Sequence, residues 1–199
     1  PARILLLSDR QAMVVPHPAD GEQPVVVSLD RIERVDWGRI LLTGWIALTW
    51  DGGQINLPYN TRARGPVEKC MKTLQDRWLP AAPALPAPPT CAFGAPLDLK
   101  FDYARSAELI DGEAPFAQFF QPGDLVLVTS RRLLWITERH KGSYGRYGTV
   151  SHSARLPSLA EVRGALQIAF RSGDPWRIQV REDQKQEARR FELAIRSIL

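Results

Sequence analysis

The residues best suited to bind something lie in one short basic stretch, Arg139-His140-Lys141-Gly142-Ser143-Tyr144-Gly145-Arg146-Tyr147-Gly148. Glycines let backbone amides approach an anion, Lys and Arg neutralise phosphate charge, and tyrosines stack on a ring or rest at a lipid interface. Arg139, Lys141, Tyr144, Arg146 and Tyr147 are therefore candidate anion- or lipid-binding residues, set against the plainer reading of a solvated hairpin loop. Around them Arg131, Arg132, Arg139, Lys141, Arg146 and Arg155 face only Glu138, a local excess of five positive charges.

Covalent and metal chemistry have thinner support. His17, His140 and His152 are the only histidines, and none has a Cys, Asp or Glu at metal-ligand spacing. Cys70 and Cys91 are too few for a disulfide framework and have no adjacent base to activate them. Cys70 reads as a small buried hydrophobe on a helix face. Ser8-Asp9 and Ser130 fit turn chemistry better than a catalytic triad. The reading is a chain with no catalytic residue, no metal and no cofactor: not an enzyme.

Composition sets the frame for these residues. A length of 199 residues admits one large domain or two small ones. With 44% apolar and 24% charged residues, the chain matches ordinary globular proteins, which excludes bulk disorder and a fibrous repeat. The longest uncharged stretch, Leu79 to Leu97, carries six prolines and cannot form a membrane-spanning helix. The net charge is only +4 and no recognition helix or RNA motif is visible, so sequence-specific nucleic-acid binding ranks low. A soluble, cytoplasmic protein is expected. The chain opens at Pro1, without methionine or an apolar signal core, and reads as a fragment or a processed product.

The Pro- and Ala-rich residues 80–97 read as a linker between residues 1–79 and 98–199. Before it, Ile4 to Val15, Gln23 to Leu29 and Ile40 to Trp50 are strand candidates, with Gly44 as a bend or bulge. Asp51-Gly52-Gly53 turns the chain into a returning strand ending at Pro58. Val67, Cys70, Met71, Leu74 and Trp78 then recur at helical spacing, with Thr61 as a cap and Pro66 delaying the start. After it, Leu125 to Thr137, Tyr147 to Leu156, Ala165 to Arg171 and Pro175 to Glu182 read as strands. A last helix, capped by Asp183, puts Ala188, Phe191, Ile195 and Ile198 on one face.

The two parts superpose in register. Ser8-Asp9-Arg10 falls on Thr129-Ser130-Arg131 and Leu57 on Ile178 at an offset of 121, while Met71, Leu74 and Trp78 fall on Phe191, Ala194 and Ile198 at 120. An almost constant offset across strand, hairpin and helix signals a duplicated unit. Each unit has antiparallel strands closed by one amphipathic helix.

Gly123 to Ile136, a hydrophobic strand followed by the Thr-x-Arg-Arg-Leu turn at Thr129 to Leu133, resembles the bacterial pleckstrin-homology-like (PH-like) domains, and Ile4 to Val15 is a fainter copy. Ala107 to Glu113 and Phe116 to Gln121 resemble the short helix and first strand of that family. The resemblance implies a mainly β fold with C-terminal helices, an α+β arrangement of two PH-like barrels, each a strongly bent antiparallel sheet capped by an amphipathic helix. Repeat 1 would lack its first strand, supplied by upstream sequence, by Ala95 to Phe101 or by a second chain, since sheet edges are normally covered. Eukaryotic inositide-binding PH domains carry basic residues in the loop joining the first two strands. Here that loop is Gln121-Pro122-Gly123-Asp124, which has an acid and no base.

Alternation places Trp45 on the face opposite Leu48 and Trp50, which makes it a candidate partner surface. The function expected is a non-catalytic tandem binding module, a scaffold for a protein partner or for its own copies. The alternative is peripheral binding to anionic lipid or another polyanion through the basic loop 139–148, which would place the protein at a membrane surface.

Overall fold

Alternating and continuous apolar runs dominate the chain, and in the computed structural model they form thirteen strands, with three α-helices among the described residues. The structure describes residues 3–40, 42–79, 97–140, 146–164 and 166–198. The expected linker therefore lies outside the described residues, apart from Leu97.

The strands are β1 (Arg3–Leu7), β2 (Gln11–Pro16), β3 (Val25–Ser28), β4 (Ile32–Ile40), β5 (Thr43–Trp50), β6 (Gly53–Asn60), β7 (Pro115–Gln121), β8 (Asp124–Thr129), β9 (Arg132–His140), β10 (Arg146–Arg155), β11 (Leu159–Arg163), β12 (Gln167–Phe170) and β13 (Trp176–Arg177). The helices are α1 (Arg64–Trp78), α2 (Leu99–Glu108) and α3 (Lys185–Arg196). The strands form three antiparallel sheets: β1-β2-β3, β6-β5-β4-β10-β9-β8-β7 and β11-β12-β13. None of the three closes into a barrel. Prolines sit where a ladder tolerates them, Pro58 and Pro115 both lying on the outer strands of the large sheet.

The order β1 to β6 followed by α1 matches the order β8 to β13 followed by α3, with a 3-10 turn at the same two places in each series. β2 and β9, the turns at Thr61 and Glu182, and α1 and α3 all start 121 residues apart. Each terminal helix packs its apolar face on one core. Met71, Leu74 and Trp78 of α1 join Val14, Ile32, Val35, Leu48 and Leu57. Ala188, Phe191, Ala194 and Ile195 of α3 join Phe119, Val126, Leu133, Ile168 and Trp176. A third cluster lies under α2, where Phe101 covers Leu125, Leu127, Leu134 and Ile136.

Several local expectations are corrected. Ile4 to Val15 and Leu125 to Thr137 are each a hairpin, turning at Ser8 and at Ser130. Strand β4 lies outside the strands that the sequence pattern predicts; its bulge between Ile32 and Arg34 lets both Ile32 and Val35 face the core. Gly44 is no bulge: it stays in register between Arg39 and Tyr59, and a Cβ there would fall 2.2 Å from the Tyr59 ring. Helix α1 begins at Arg64, before Pro66, because a first-turn proline gives up no intrahelical hydrogen bond. Neither Thr61 nor Asp183 is an N-cap; each belongs to the 3-10 turn ahead of its helix. The short helix ahead of β7 spans Leu99–Glu108 rather than Ala107 to Glu113, and Asp98 caps it by accepting a hydrogen bond from the Phe101 N–H at 2.9 Å.

Candidate functional site

Of the basic loop, Lys141 and Tyr144 lie outside the described residues. Arg139 lies next to the end of β9 and Arg146 and Tyr147 begin β10, so these three belong to strands flanking that segment. Trp45 stands on the face opposite Leu48, as alternation requires. It is half-buried over Gly38, where a Cβ would meet its ring and Val150 at 3.0 Å. Trp78 is core, its indole Nε1–H donating to the Ile32 carbonyl at 2.7 Å. His17 accepts from the Ala19 N–H at the start of a 3-10 turn. Cys70 is half-buried, and burial pushes its thiol pKa up, away from nucleophilic character.

Two features were not legible as sites. The first is the outer face of the β1-β2-β3 sheet. Ile4 and Leu6 are 60% and 51% exposed, and Val26, paired with Met13 across the sheet, is 47% exposed. Leu6 pairs with Met13 on the other side, so Leu6, Met13 and Val26 form one apolar row. At the same offset of 121, Ile4, Leu6, Met13 and Val15 correspond to Leu125, Leu127, Leu134 and Ile136, all 0% exposed beneath α2. Strand β8 is also paired by β7, whereas no described strand pairs with the outer edge of β1.

The second is the seam where β4 meets β10. Five residue pairs, from Val150 opposite Gly38 to Ala154 opposite Arg34, join the two halves into one sheet. His152 Nδ1 lies 2.9 Å from the Asp36 carboxylate across this seam, and its ring stacks on Trp135 with centroids 4.7 Å apart. Arg34 donates to the Asp174 carbonyl and lies over the Phe170 ring at 5.1 Å.

On the other face of the seam Glu108, at the end of α2, accepts from Ser151 Oγ at 2.6 Å and Trp37 Nε1 at 3.3 Å, with a further hydrogen bond from Gln75 of α1. Burial pushes its carboxyl pKa up, against these hydrogen bonds and the nearby charge of Arg132. The folded state therefore binds this proton more tightly than the unfolded state. Its contribution is full below the ordinary glutamate pKa of about 4.3 and is lost as pH rises through the raised value. Glu108→Gln, which cannot ionise, is expected to gain stability relative to the parent as pH rises from about 4.3 toward neutrality. Urea titrations across that interval would read it, and parallel curves would refute it.

No helix among the described residues is long and apolar enough to cross a membrane. Comparison with protein-family models, with curated proteins and with solved structures returns no match for this chain.

Proposed function

We propose that the chain is a non-catalytic binding module made of two PH-like units, residues 1–79 and 98–199, that holds a protein partner on the first unit. The units derive from one duplicated ancestor, and each curls its strands round its own core beneath a terminal helix. The observation that supports this reading is the contrast between two equivalent surfaces. In the second unit the outer sheet face is covered by α2 and its edge by β7; in the first, Ile4, Leu6 and Val26 are exposed beside an outer β1 edge that no described strand pairs.

The occupant that fits is a polypeptide segment built like Asp98 to Gln121, an amphipathic helix followed by a strand. Its strand would add antiparallel to β1 through main-chain hydrogen bonds, and its helix would bury the apolar row. A synthetic peptide of residues 97–121, added to the purified chain, tests this by hydrogen exchange. Protection of β1 amides is expected, together with its loss in Leu6→Glu. Self-association of the chain that Leu6→Glu abolishes would identify its own copies as the partner using the same edge. A monomeric chain whose β1 exchange ignores the peptide would overturn the proposal.

A further inference from the structure

A cleft of about 910 Å³ opens between α1, α2, β4 and β10, on the side of the seam that carries Glu108. Its volume falls in the range of small-molecule sites, roughly 300–1,000 Å³. The interior is shaped by apolar and aromatic groups, among them Trp37, Met71 and Ile110, with half-buried Tyr59 on the wall and exposed Ala107 and Tyr103 at the mouth. Its polar floor is compact: the Glu108 carboxyl with Trp37, Gln75 and Ser151 gathered on it. Apolar walls over a few convergent polar groups are the usual make-up of a ligand site.

The charges lining the cleft are unevenly matched. Arg64 is paired with Glu68 at 2.6 Å, and Lys100 is paired with Glu138. Arg39 of β4 and Lys72 of α1 line the same cleft and form no ion pair among the described residues. Asp111 is the one acid on the lining, besides Glu108, that no described cation pairs. Burial raises the Glu108 pKa, and the donors on its oxygens and the nearby Arg132 offset its negative charge at the floor.

We propose that this cleft binds a small aromatic anion, a flat ring system carrying one phosphate or carboxylate. The ring lies between Trp37 and the tyrosines, and Arg39 and Lys72 hold the anionic group. The site is independent of the open β1 edge, which lies in a different sheet, so either proposal can fail without the other.

Because Trp37 Nε1–H donates to Glu108 at the cleft floor, its indole signal in a ¹H–¹⁵N spectrum reports occupancy directly. The probes are 1-naphthyl phosphate and its neutral counterpart 1-naphthol, titrated into the full chain, with the Trp37 signal assigned through Trp37→Phe. The phosphate is expected to move the Trp37 signal saturably while Trp135 and Trp176, in the other core, stay in place. Arg39→Ala with Lys72→Ala should weaken the phosphate about tenfold and leave the naphthol nearly unchanged. Ala107→Trp should abolish both by filling the cleft. Ser106→Trp, from an exposed helix position, gives a second obstruction, and unmoved Trp135 and Trp176 signals certify folding in each variant. An immobile Trp37 signal at millimolar probe would overturn the site. Phosphate binding indifferent to the double charge removal, or to both obstructions, would overturn it equally.

Discussion

Replacing Glu113 by Gln is expected to destabilise the chain by about 3–5 kcal/mol, the cost of leaving a buried cation without its counter-charge. Glu113 and Arg132 both have side chains that are 0% exposed. Arg132 donates through Nε to Glu113 Oε1 and through Nη2 to Oε2, each at 2.9 Å, through Nη1 to Ser153 Oγ at 2.7 Å, and through Nη2 to the Glu108 carbonyl at 2.6 Å. Thr129 adds its hydroxyl to Glu113 Oε1 at 2.6 Å and accepts from the Arg132 N–H at 3.0 Å. This accounts physically for the Thr-x-Arg-Arg-Leu turn: the threonine shapes the reversal, and the second arginine ties it to the segment before β7.

Burial works to raise the Glu113 carboxyl, but the charge and hydrogen bonds of Arg132 and the bonds from Thr129 and the Ile110 N–H outweigh it and hold the pKa low. Its contribution is therefore full above the ordinary glutamate value of about 4.3 and disappears as pH falls through the lowered one. Denaturant unfolding at neutral pH checks the loss. The double replacement Glu113→Leu with Arg132→Met should recover most of it, because a well-packed apolar pair removes the desolvation cost along with the attraction. A single-variant loss near zero would show that water reaches the pair.

Trp78→Ala should cost about 3–5 kcal/mol, the usual penalty for truncating a large buried aromatic side chain. Trp78 is 2% exposed at the end of α1 and packs in the core with Met71, Leu74 and Ile32. Its indole also satisfies the Ile32 carbonyl, at the point where the 3-10 turn Leu29–Arg31 enters β4. Trp78→Phe keeps most of the volume and orphans that carbonyl, so about 1–3 kcal/mol of the loss should persist in it. Two unfolding curves set side by side would separate packing from hydrogen bonding. If Phe proved as costly as Ala, shape rather than volume would be decisive at this position.

Where side chains face one partner surface, the sequence made the fold legible. The apolar face of α1, the hydrophobic run of β8 and the near-constant offset between the halves depend on periodicity alone. Strand β4 escaped because Glu33, Arg34, Asp36 and Arg39 interrupt its apolar pattern. Arg34 is nonetheless 6% exposed, since the Asp174 carbonyl and the Phe170 ring from the other half receive its guanidinium. Polarity that is compensated across a tertiary seam leaves no local trace. Helix α2 escaped for a related reason. It presents only Phe101, Ala104 and Glu108 inward while Leu99 is 90% exposed, so its stripe is too narrow to stand out. Glu108 itself reads in the sequence as an ordinary surface acid; three donors from three separate elements make it otherwise.

The pairing of β4 with β10 bears on how such a chain can change over generations. Tandem units strung like beads can be exchanged, lost or multiplied one at a time. Here the middle of one ladder is drawn from both, so removing either would strip a row of amides and carbonyls from the survivor and leave an adhesive border in water. The two halves are bound into one sheet: each can change in sequence, but neither can be lost alone.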